Sequence, residues 1–146
     1  MGRVHKRGSG VVGSRHMLLL CPTLCRAEEV LAMALARVGE TPEQVTLLRL
    51  RPGAEWAHCW AEEETLYAEL KGAQARLSGW ALPVKLDTAV IPTTRALAQY
   101  VRQHQIDLIL VPDYARLGSA TTAEELVQKI GKYTRCQTQV LPGISA

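Results

Sequence analysis

The chain is expected to fold as an α/β domain, a five-stranded parallel sheet flanked by helices on both faces. Three features lead there. Short apolar runs alternate with segments whose apolar residues recur every three to four positions, which is the order strand, helix, strand. One run, "DLILV" (107–111), is almost unbroken in its hydrophobicity, as a strand covered on both faces must be. The chain has 146 residues, 47% of them hydrophobic, enough for one domain with a sizeable core.

The elements follow in order. "MLLLC" (17–21) reads as a short buried strand, and "RAEEVLAMALARVG" (26–39) as a helix with Val30, Leu31, Ala34, Leu35 and Val38 on one stripe and Gly39 ending it. "QVTLLRL" (44–50) is a second strand, broken by Arg51-Pro52-Gly53. A stretch through Trp56 and Trp60 leads into a helix over 62–78, whose Glu62, Glu63 and Glu64 suit the positive end of its dipole. "LPVKLDTAVI" (82–91) alternates as a third strand. Pro92 then opens a helix capped at Thr93 or Thr94 and running to His104. After the strand at 107–111, a helix over 122–133 leads to a fifth strand in "TQVLPG".

Charge and cysteines remove several function classes. The formal net charge is +3, but residues 1–16 hold Arg3, Lys6, Arg7 and Arg15 with no acid, so they supply +4 and leave the rest at −1. No nucleic-acid surface is expected of the domain itself. The leader ends in Gly-Ser-Arg-His-Met and carries no periodic apolar residues. It is read as an expression tag outside the fold, with 17–146 as the domain; a basic tail touching phosphates or anionic lipid is the alternative. No secretory or membrane-spanning segment follows, so a cytoplasmic location without membrane insertion is expected.

Cys21, Cys25, Cys59 and Cys136 are too scattered for a disulfide scaffold. Only His58 beside Cys59 offers further zinc ligands, and no metal site is assigned. Cys25 is placed in the first turn of a helix, where a dipole favours a thiolate, but it is read first as a passive small apolar residue.

A helix opened by Pro-Thr-Thr and then "YVRQHQIDLILV" resembles the universal stress protein family, and the likeness runs from Met17 to about Gly143. It implies that family's three-layer sandwich. Nucleotide-binding members carry a glycine after the fourth strand, another three positions on, and a third ten positions on followed by Ser or Thr. Those positions are Pro112, Ala115, Glu125 and Leu126 here, and none fits. Proline lacks an N–H for a phosphate, and a glutamate repels one. The pattern implies that restoring all four would bring back weak ATP binding.

The family's Asp at the end of the first strand is replaced by Pro22 or Thr23, and Thr23 is expected to cap the next helix. The resemblance therefore implies a closed site with no cofactor. The alternative is a sensor of ATP, another adenine nucleotide or a small anion, with a degenerate site of Thr23, Pro112, Asp113, Arg116, Ser119, Thr121 and Thr122. There Arg116 would grip the phosphate.

Enzyme readings find little support. A receiver domain needs an acidic pair after its first strand and a late lysine, and there is no Gly-x-Ser-x-Gly. Beyond the leader the histidines are His58 and His104. A non-catalytic regulatory domain is expected, either free-standing or cut from a membrane transporter or sensor kinase. The family's habit of pairing through its last strand implies a homodimer through Gln139, Val140 and Leu141.

Overall fold

The computed structural model describes residues 15–21, 24–39, 41–51, 60–113 and 122–141. They form β1 (His16–Cys21), α1 (Ala27–Val38), β2 (Gln44–Arg51), α2 (Trp60–Leu77), β3 (Val84–Val90), α3 (Thr94–Gln103), β4 (Leu108–Pro112), α4 (Ala123–Ile130) and β5 (Gln137–Leu141). The strands make one all-parallel sheet in the order β3-β2-β1-β4-β5. The central strand β1 is buried along its whole length, as the apolar run over 17–21 requires.

Alternation along β1 divides the core between the two faces. Met17, Leu19 and Cys21 point into one cluster with Val30, Leu31 and Ala34 of α1 and Ala73 and Leu77 of α2. Leu18 and Leu20 point into the other, with Leu97 and Val101 of α3 and Leu126 and Ile130 of α4.

Several boundaries differ from the expected ones, each for a local reason. Arg15 and His16, read with the leader as outside the fold, belong to it: β1 starts at His16 rather than Met17, and Gln44 N donates to Arg15 O (3.0 Å). The Asp107 carboxylate accepts the backbone N–H groups of Arg15 (2.9 Å) and His16 (3.3 Å), so the domain boundary expected at 17 falls too late. α1 starts at Ala27 with Arg26 in the N-cap position and no side-chain cap. Thr23, the expected cap of this helix, lies outside the described residues. Cys25 precedes this helix instead of sitting in its first turn. α3 is capped as expected, Thr93 Oγ1 accepting from Ala96 N (3.1 Å), and α4 is capped in the same way by Thr122, whose Oγ1 accepts from Glu125 N (3.0 Å).

The end of α3 carries the one non-glycine residue with positive φ among those described, Gln105 at 54°. Ile106 N donates to Val101 O (3.0 Å) and Gln105 N to Arg102 O (3.3 Å), the bonding pattern that closes a helix through a left-handed residue, with Val101 and Ile106 packing together. A left-handed L-residue costs about 1–2 kcal/mol, part of which glycine gives back through unfolded-chain entropy. Gln105→Gly, at an exposed side chain, should stabilise the domain by about 0.5 kcal/mol, read as a higher urea midpoint at unchanged slope. An unchanged or lower midpoint would count against a strained turn.

Candidate functional site

The mouth of the sheet lies at the carboxyl ends of β1, β2 and β4, the usual ligand position in open α/β sheets. On the α1/α2 side this mouth is occupied by charge. Arg49, level with Cys21 in the register, turns its Nε to Glu69 Oε1 of α2 at 2.6 Å. Glu69 Oε1 also accepts Leu24 N at 3.0 Å, and Arg49 Nη1 donates to Leu50 O. The two side chains are 16% and 9% exposed, so the pair is largely withdrawn from water.

A second arginine grips the same turn from outside. Arg76 Nη2 donates to Leu24 O at 2.9 Å, and its Nε reaches Glu28 Oε1 at 2.8 Å. The Glu28 carboxyl is held below its ordinary range by its own backbone N–H and by Arg76. The turn after β1, where α1 lacks a side-chain cap, is thus tied to α2 by two carboxylate–guanidinium pairs.

Between them is a cleft of about 330 Å³ lined by Cys25, Thr65, Ala68, Glu69, Gly72 and Arg76. Gly72 leaves room for the arginine, since a Cβ there would lie 3.2 Å from Arg76 Nη1. Cys25 is exposed at the rim. Cys21, behind the network, has its thiol pushed up to about 12 by burial and is chemically inert.

On the β4 side, Pro112 continues the strand opposite Leu141 and offers no N–H. The next N–H, that of Asp113, donates to Leu141 O at 3.2 Å. Thr122 turns its hydroxyl onto the Glu125 N–H as the α4 cap. Thr23, Arg116, Ser119 and Thr121 lie outside the described residues, as do His58 and Cys59. Among the described residues no cluster of three or more His, Cys, Asp or Glu could hold a metal.

Leu126, which the family pattern sets against a phosphate-binding hydroxyl, is fully buried with Ala123 and Ile130 on the inner stripe of α4. The expectation that a hydroxyl there would face a ligand is incorrect, because helical periodicity turns this position into the core. In β5, Gln139 and Val140 are half-buried, while Leu141 is buried in the α1/α2-side cluster and has only backbone to offer a partner.

The sequence reading missed Arg49, Glu69, Arg76 and His16. The available signal was a charge inside the otherwise apolar strand "TLLRL", which needs a partner when buried.

No protein-family sequence model and no curated protein sequence matches the chain. Solved structures do. A universal stress protein from Archaeoglobus fulgidus superposes with a TM-score of 0.55 at 14% identity, covering 94% of this chain and 98% of that one. A universal stress protein family member from Burkholderia pseudomallei gives 0.56 at 15%, covering 88% and 96%. A universal stress protein in complex with cAMP gives 0.54 at 14%, covering 90% and 98%. With its five parallel strands, four helices and strand order, the chain has the fold of the universal stress proteins.

Proposed function

We propose that the protein is a non-catalytic regulatory domain of the universal stress protein type, working in the cytoplasm through a protein partner, first of all a second copy of itself. The observation that carries this reading is the end of β4. Pro112 has no N–H and the Asp113 N–H is spent on Leu141 O, so neither the last residue of β4 nor the first after it offers a phosphate an N–H. The open edge of β5, with the half-buried Thr138, Gln139 and Val140, suits pairing across a two-fold axis. Attachment to a transporter or sensor kinase chain is compatible with the same edge.

Calorimetry with ATP and magnesium, and separately with cAMP, should give no saturable heat. Saturable binding of either would favour the second reading, an adenine-nucleotide sensor, for which a structural neighbour in complex with cAMP speaks. Sedimentation should show a dimer at micromolar concentration, and Gln139→Asp, which sets like charges against each other across the axis, should weaken it by about tenfold or more. Val140→Asp should also give monomers, at some cost in packing against the α3/α4 cluster. A folded wild-type monomer at high micromolar concentration would remove the dimer.

A further inference from the structure

At the end of the sheet opposite the cleft, one polar cluster joins four elements. His16 opens β1 and is 8% exposed. Its Nδ1 lies 3.0 Å from His104 O, the carbonyl at the C-cap of α3, and its Nε2 lies 2.7 Å from Thr46 Oγ1 of β2. A carbonyl only accepts, so Nδ1 carries the hydrogen and donates, and Nε2 accepts from the Thr46 hydroxyl. The neutral ring satisfies both bonds and supplies a partner to a carbonyl that the end of a helix leaves without one.

The same carbonyl belongs to the connection that holds the left-handed Gln105. On its far side Asp107 N donates to His16 O at 3.1 Å, and the Asp107 carboxylate takes the N–H groups of Arg15 and His16. His16 is therefore bonded to both ends of the turn between α3 and β4.

We propose that His16 is an acid-responsive latch, which while neutral holds the turn from His104 to Asp107 against β1 and β2, and which once protonated still donates from Nδ1 to His104 O but only as a poorly hydrated cation, so that the turn opens when the ring leaves its site for water. Protonation puts a hydrogen on Nε2, which then has to donate to Thr46 Oγ1 and reverse that hydroxyl. It also leaves a cation with little water around it.

The charged and titratable groups around the ring are Asp107 before β4, which favours the cation, and His104 of α3 and Lys85 of β3, which oppose it. The backbone bond to His104 O also favours the cation, but burial outweighs these attractions and holds the ring below its ordinary 6.5. Cys136, the other titratable group beside Asp107, has its thiol pushed up to about 12, chiefly by burial, and stays neutral. The unfolded chain thus binds the proton more readily than the folded one. The stability from neutral His16 is complete above the unfolded value and is lost as pH falls from there through the lowered folded value.

Amide hydrogen exchange tests the latch at Gln105, Ile106 and Asp107, whose N–H groups close the turn. Between about pH 7.5 and pH 5, with intrinsic rates divided out, their protection should fall about threefold to tenfold in the wild type. His16→Gln, whose amide can still donate to His104 O and accept from Thr46, should remove that fall. His104→Phe, which keeps a ring on Tyr100, should leave it in place. A wild type with no fall, or an equal fall in His16→Gln, overturns the proposal. Should His16→Gln not fold, the ring resonances of wild-type His16 decide. Their midpoint must lie below 6.5 and track the amide change, and a midpoint at or above 6.5 overturns the latch.

Discussion

Leu126→Ser should destabilise the domain by about 3–4 kcal/mol, because it removes a fully buried side chain from the cluster of Leu97, Val101, Ile109 and Ile130 and leaves a hydroxyl there without an apolar substitute. The same loss defeats any attempt to rebuild a nucleotide loop by putting glycines at Pro112, Ala115 and Glu125 and serine at Leu126. Each added glycine enlarges the unfolded ensemble, and Glu125→Gly also weakens the first turn of α4, so the fourfold variant should unfold before it binds. Urea unfolding of the single variant and ATP calorimetry of the fourfold one check both statements. A Leu126→Ser protein as stable as the wild type would mean that α4 turns this residue away from the core.

Glu69→Ala should cost about 2–4 kcal/mol. It leaves Arg49, only 16% exposed, without its carboxylate and takes the acceptor from Leu24 N, so a charge and a backbone donor lose their partners together. Removing both charges at similar volume, Arg49→Met with Glu69→Leu, should recover much of that loss, since the cost lies in the unpaired charge rather than in the absence of the pair. A double-mutant cycle by chemical denaturation reads the coupling, which should reach about 2 kcal/mol. If Glu69→Ala cost no more than a surface substitution, the network would be an ordinary exposed ion pair. Because Glu69 accepts the Leu24 N–H, its loss should be accompanied by faster exchange at the start of α1.

The architecture was legible in the sequence because its signals are local. The stripe of Val30, Leu31 and Ala34 and the run "DLILV" each fix an element type within one segment, and alternation of such segments leaves a parallel sheet covered on both faces. The cap at Thr93 was legible for the same reason, a hydroxyl and the N–H it accepts being three residues apart. Pro112, at the end of β4, already argued against a phosphate site, since a missing N–H belongs to the residue itself.

The polar pairings were decided only by the tertiary structure. Glu69 follows Arg49 by 20 residues, and His104 follows His16 by 88; in each pair the partners lie on different elements, so no helical or strand period links them. What brings Arg49 level with Cys21 and with the turn after it is the parallel register of β1 on β2, and what seats His16 against α3 is the placing of β1 between β2 and β4. Periodicity assigns a side chain to a face, and it turned Leu126 inward where a motif alone set it beside a ligand. Which buried charge or imidazole meets which partner depends on strand order and register, because only the assembled sheet removes those groups from water and makes a distant partner necessary.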